Sequence, residues 1–149
     1  MTKFTYRLDG VLEMKRKLEK QAEMEFAAIK ARLNAEEDKL DLLIVKQQDC
    51  EEALQKSMLD LLDFRKIRLQ HDAVDYAKDS VEKQKLSIKR IQKQVDLAAA
   101  KLNSLMQERK SMEKLRENEF EEYLKEYNAE MSKEVDELIS YKHVALKDD

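Results

Sequence analysis

Two histidines, one cysteine, many paired carboxylates and one run of basic side chains are the only residues in this chain with types and spacing suited to chemistry. A zinc site needs thiolate or imidazole ligands converging at helical spacing. His71 and His143 have no second histidine or cysteine four residues away, so no metal centre is expected. Cys50 could act as a nucleophile, but between Gln47 and Leu54 it reads as a small buried hydrophobe. Carboxylate pairs at helical spacing follow automatically from a chain that is 41% charged, and they fit a solvated face better than a general acid and base. A phosphate cradle needs several glycines, and Gly10 is the single glycine present. Lys83, Lys85, Lys89, Arg90 and Lys93 form a run with no acid between them, a pattern that could meet nucleic acid or anionic lipid. The run lacks interleaved aromatics, and the net charge of −3 opposes non-specific nucleic-acid binding. The sequence therefore predicts no enzyme, no catalytic residue, no cofactor, no metal and no nucleic-acid partner.

The elements that position these residues announce themselves by what is missing. The 149 residues contain no proline and one glycine, so turn signals are almost absent. High charge with few aromatics is the composition of long helices or coiled coil. A 4–3 spacing starts at Leu8 and runs through Leu12, Lys15, Glu19, Ala22, Phe26, Ile29, Leu33, Glu36, Leu40, Leu43, Gln47, Cys50, Leu54, Ser57, Leu61 and Phe64. Twelve of these 17 positions are apolar, where chance gives about seven. A second seam runs Val74, Ala77, Val81, Gln84, Ile88, Ile91, Val95, Ala98, Leu102, Leu105, Arg109 and Met112, with ten of 12 apolar. Both are the narrow stripe of a left-handed coiled coil. Beyond Met112 the spacing slips by one residue and resumes at Phe120, Leu124, Tyr127, Met131, Glu134, Leu138, Tyr141 and Ala145.

Extending the first seam past Phe64 places Arg68 and His71 on it, so the period predicts a turn within 63–72. Without glycine, that turn must use aspartate, arginine or histidine, and His71 reads as a turn residue. The expected organisation is a single domain over 1–149. Helix 1 covers about 6–64, starting at a Thr5 or Asp9 cap, and helix 2 covers about 73–143.

Charge chooses between a hairpin and a parallel dimer. Residues 3–20 hold six basic side chains and three acids, and residues 117–137 hold nine acids and two lysines. Folding near residue 68 sets the basic start against the acidic end, and 83–93 against Asp41, Asp49, Glu51 and Glu52. A parallel dimer stacks like on like, so an all-α, long antiparallel two-helix coiled-coil hairpin on the order of 90 Å long is expected. The polar seam residues Glu19, Glu36, Gln47, Gln84 and Arg109 either fix register or leave the pair loose enough to bind something else. The lone thiol suggests a reducing cytoplasm, and no stretch has the roughly 20 apolar residues of a membrane span.

The chain opens with Phe4-Thr5-Tyr6-Arg7-Leu8-Asp9-Gly10-Val11-Leu12 and closes with Glu119-Phe120-Glu121-Glu122-Tyr123 and Lys133-Glu134-Val135-Asp136-Glu137-Leu138. With its length, central turn and acidic end, it resembles the flagellar FliJ family in its Gram-positive form. The resemblance implies an antiparallel two-helix coiled coil similar to the stalk of rotary ATPases. It implies a place on the cytoplasmic side of the flagellar type III export apparatus, peripheral to the membrane. Implied partners are the flagellar export ATPase, the cytoplasmic region of the export gate protein FlhA, and flagellar export chaperones. On this likeness Phe4, Tyr6, Leu8, Val11, Leu12, Tyr123, Tyr127, Leu138 and Tyr141 lie at the ATPase ring. The gate face, near the turn, falls on Leu43, Lys46, Cys50, Ala73, Ala77 and Ser80, with Tyr76 as its nearest aromatic. A structural tether or scaffold unrelated to export is the other class that a generic heptad pattern admits.

Overall fold

Chains rich in Ala, Leu, Glu, Lys and Met, with nothing to break them, form helix wherever an apolar stripe finds a partner. In a computed structural model that describes residues 3–61 and 63–147, α1 spans Asp9–Leu59 and α2 spans Phe64–Lys147. The two helices pack against each other as an all-α hairpin, with no strand among the described residues. The chain divides into two compact units. One combines Met1–Glu19 with Ser104–Asp149, and the other is Lys20–Asn103.

In the second unit the predicted seams meet. Leu33, Ile91 and Val95 form the buried core, with Phe26, Ile29 and Ile88 packed on it. Leu33 is 1% exposed. Every seam position from Ala22 to Ser57 on α1, and from Val74 to Leu102 on α2, is buried or half-buried. In the first unit Leu12 is equally buried, at 1%. The Tyr6 hydroxyl, also buried, donates to the Met112 carbonyl at 3.5 Å.

The turn lies earlier than the period suggests. α1 ends at Leu59 rather than 64, and α2 begins at Phe64 rather than 73, so the break occupies 60–63 instead of a place within 63–72. Position 62 is outside the described residues. The reason is hydrogen bonding. The Asp63 carboxylate accepts from the Arg65 amide at 3.1 Å and the Lys66 amide at 3.5 Å, which caps α2. Its carbonyl accepts the first helical bond, from Ile67 at 2.9 Å. The Asp60 carboxylate takes the Leu61 amide at 2.9 Å. Two aspartates thus do the work expected of glycine, and no described residue takes a positive φ. His71 is a helical residue of α2, not a turn residue. Leu61, within the break, and Phe64, at the start of α2, were expected on the seam and are exposed, Phe64 by 77%.

The outer ends shift as well. α1 starts at Asp9 rather than about 6, with residues 3–6 irregular and a turn at 7–8. The Leu12 amide donates to the Leu8 carbonyl at 2.9 Å, so the cap position falls on Leu8, which has no side-chain acceptor. Asp9 serves elsewhere, accepting from Arg116 at 3.0 Å. At the other end α2 continues to Lys147 rather than about 143.

Candidate partner-binding site

Aromatic side chains at i, i+3 and i+7 share one face of a helix. On α2 these are Phe120, Tyr123 and Tyr127, whose rings follow one another at centroid distances of 6.3 and 6.2 Å. The irregular start of the chain brings Phe4 onto this row, 5.1 Å edge-on to Phe120 and 5.4 Å from Tyr123. Such contacts each contribute about 0.5–1.5 kcal/mol beyond area burial. Arg116 completes the corner. Its guanidinium lies 5.7 Å from the centre of the Phe4 ring while it pairs with Asp9. The cluster fastens the N-terminal segment to α2 and leaves parts of its rings in solvent.

The residues expected at the ring end separate into three groups. Phe4, Tyr123 and Tyr127 come together in the cluster. Tyr6 and Leu12 are buried and Leu8 is half-buried, so packing between the helices uses these side chains. Val11, Leu138 and Tyr141 are exposed, the last two on a part of α2 where apolar side chains stand free. Phe120 and Arg116 were absent from the expected set. The i, i+3, i+7 spacing of Phe120, Tyr123 and Tyr127 was the available signal for Phe120. Nothing in the spacing marks Arg116.

The gate-face candidates are spread more thinly. Lys46, Ala73 and Tyr76 are exposed, and Leu43, Cys50 and Ser80 are half-buried. Ala77 is buried in the seam and offers no surface.

The polar seam residues find each other. Glu19 and Arg109 pair across the helices, and Arg109 also pairs with Glu113 at 2.9 Å. The hydrogen bond that Arg109 donates to Glu19 raises the Arg109 pKa above its ordinary value, against the partial desolvation of the site. In the other unit, the Gln84 amide donates to the Glu36 carbonyl at 2.9 Å and to the Glu36 carboxylate. Glu19 and Gln84 are the buried polar residues, and each has its partner. A matched polar pair inside an apolar seam penalises any shifted alignment, so these residues fix register.

Charge pairing is more mixed than the sequence suggests. Lys15 meets Glu108 at 2.7 Å and Arg16 meets Glu113 at 3.3 Å, basic α1 on acidic α2. Glu19 with Arg109, Asp9 with Arg116 and Glu25 with Lys101 run the other way. Lys83 and Lys85 pair along α2, with Asp79 at 3.0 Å and Glu82 at 3.7 Å, rather than with Asp41, Asp49, Glu51 or Glu52. The hydrogen bond that Lys83 donates to Asp79 raises the Lys83 pKa. Near the turn, His71, Asp72 and Asp75 bring ligand atoms within 4.8 Å of one another, all exposed. His71 and Asp75 form an i, i+4 pair at 3.4 Å, the arrangement of a solvated helix face.

No helix among the described residues is long and apolar enough to cross a membrane. A family model described as flagellar FliJ protein matches residues 4–145. Neither a curated protein nor a solved structure gives a match.

Proposed function

The chain belongs to the flagellar FliJ protein family, and from that premise we propose that this export-associated protein couples the flagellar export ATPase to the membrane export gate. The ATPase ring takes the terminal segments, with the Phe4, Tyr123 and Tyr127 cluster and the exposed Val11, Leu138 and Tyr141 as the contact surface. The FlhA cytoplasmic region takes the stretch behind the turn, through Leu43, Lys46, Cys50, Ala73, Tyr76 and Ser80. Empty export chaperones are bound and released by the same protein, and flagellum assembly and chemotactic motility depend on it. Its place is the cytoplasmic side of the flagellar base, peripheral to the membrane.

The observation that carries this reading is the match over nearly the whole chain, residues 4–145. The geometry is compatible with it. The hairpin's exposed apolar side chains lie both around the turn, as at Leu59, Leu61 and Phe64, and on α2 beyond the aromatic cluster, as at Leu138 and Tyr141. Transmission of motion between two bound partners needs stiffness and end contacts, which helices pinned by buried polar pairs supply. The test is stimulation of the flagellar export ATPase, with pull-down on the FlhA cytoplasmic region. The intact chain should raise turnover and bind both, and removal of residues 1–15 should abolish the stimulation. A chain that binds neither partner at micromolar concentration overturns the proposal.

A further inference from the structure

Two charged ridges run along α2. The first is a basic ridge. Lys85, Lys89 and Lys93 follow one another four residues apart, with Arg90 beside them and the exposed leucines Leu86 and Leu97 at either end. Lys85, Lys89, Arg90 and Lys93 are all exposed, Lys85 beside the seam position Gln84 and the other three farther round the helix. Lys85 reaches only the exposed Glu82, and among the described residues Lys89, Arg90 and Lys93 have no ion-pair partner. The second is an acidic ridge. Glu126, Glu130 and Glu134 are also spaced by four, and Glu137 continues the line. Glu134 sits on the apolar line itself and the others border it, beside Tyr127, Met131 and Leu138, which are 38%, 45% and 61% exposed.

The two ridges match in spacing, in sign and in apolar content. Side chains four apart on a helix stand about 6 Å apart along it, so three lysines can face three glutamates without strain. The leucines Leu86 and Leu97 are eleven residues apart, and so are Tyr127 and Leu138. Lys85 precedes Leu86 as Glu126 precedes Tyr127, so charged and apolar side chains follow one another in the same order on the two ridges. The basic ridge belongs to the unit Lys20–Asn103 and the acidic ridge to the unit that includes Ser104–Asp149, and a second copy can present the one to the other.

We infer that the acidic apolar end of α2 in one copy docks on the basic ridge 85–97 of a second copy, so that this protein self-associates through unlike surfaces. The contact is electrostatically steered and of modest strength, since each exposed pair contributes little. A contact of two acidic ends with each other is disfavoured by like charge, and so is docking of the acidic end on an anionic lipid surface. The inference does not depend on the export role.

Sedimentation velocity of the full chain tests it. In about 25 mM salt the mean mass should rise with protein concentration, and in 0.5 M salt it should return to the monomer. Reversing the ridge (Lys85→Glu, Lys89→Glu, Lys93→Glu) or the tail (Glu126→Lys, Glu130→Lys, Glu134→Lys) should each weaken association about tenfold or more. Circular dichroism checks that both variants keep their helix. The decisive step is mixing. The two reversed chains, each monomeric alone, should associate with one another. A wild-type chain that stays monomeric at low salt overturns the inference. So does association indifferent to either reversal, which places the contact elsewhere. Monomers that bind anionic vesicles through 85–93 assign the ridge to lipid and overturn it as well.

Discussion

The stretch of α2 from Val74 to Met112 and the stretch from Phe120 onward carry the same 4–3 apolar spacing and meet opposite environments. In the first, every seam residue is buried or half-buried. In the second, exposure grows along the helix until Leu138 is 61% exposed. The cause is length. α2 has 84 residues and α1 has 51, and among the described residues the irregular start of the chain meets α2 through Phe4 at Phe120 and Tyr123. A heptad stripe thus specifies that a helix needs a partner, but not that the partner lies in the same chain. What distinguishes the two stretches beforehand is the polar content of their seams. The paired one places Gln84 and Arg109 where Glu36 and Glu19 answer them. The unpaired one places Glu134 where α1 offers nothing.

The largest expected contrast is in amide hydrogen exchange. Amides from 81 to 95 should exchange only through global unfolding, because they sit behind the Leu33, Ile91 and Val95 core. Amides from 130 to 147 should exchange orders of magnitude faster, since a helix of this length without tertiary contacts is marginal in water. Equal protection in both stretches breaks the comparison and means that the end of α2 is covered in solution.

Side-chain truncation probes the same contrast at single sites. Leu33→Ala should cost about 2–5 kcal/mol in urea unfolding, the usual loss for a fully buried leucine. Leu138→Ala should stay within about 0.5 kcal/mol, as surface changes do. A large loss at Leu138 would reveal a partner for the tail, and a second copy is the one inferred above. Between these limits lies the polar seam. Gln84→Ala removes the hydrogen bonds to Glu36 and should cost about 1–2 kcal/mol. Glu134→Ala occupies the equivalent seam position in the tail and should leave unfolding unchanged.

The sequence carried the hairpin and both seams, because the stripe that packs is the stripe that repeats. It did not carry the turn. The apolar period failed at Arg68 and His71, but a period reports packing, whereas a helix end reports hydrogen bonding. Helix α2 begins at Phe64 because Asp63 caps it, and Asp60 and Asp63 bracketing the break were the readable signal. The charge argument chose the correct orientation from summed signs. It missed the individual pairs because moving the turn shifts every facing residue, and because Lys83 and Lys85 find acids on their own helix. The polar seam residues were singled out one by one. Matching Glu19 to Arg109 and Glu36 to Gln84 required a register, which depends on the position of the turn. At the candidate site, Phe4, Tyr123 and Tyr127 were legible as terminal aromatics, whereas the burial of Tyr6, Leu12 and Ala77 follows from packing that spacing alone leaves open.

The smallest effect concerns where pairing stops. Gly10 sits in the first turn of α1, its φ is not positive, and a methyl group added there meets nothing within 4 Å. Nothing in the fold requires glycine, which costs roughly 0.5–1 kcal/mol against alanine inside a helix. The first turn frays more than the interior, so Gly10→Ala should gain a few tenths of a kcal/mol, seen as a rise in Tm of about 1 °C. The accompanying sign is slower exchange at the first amides of α1, which carry the segment that holds Phe4 against Phe120 and Tyr123. If Tm falls instead, the first turn of α1 is not helical in solution. The pairing of the two helices then ends before Leu12 is reached, and the stretch of α2 with exposed apolar side chains begins nearer Met112 than Tyr123.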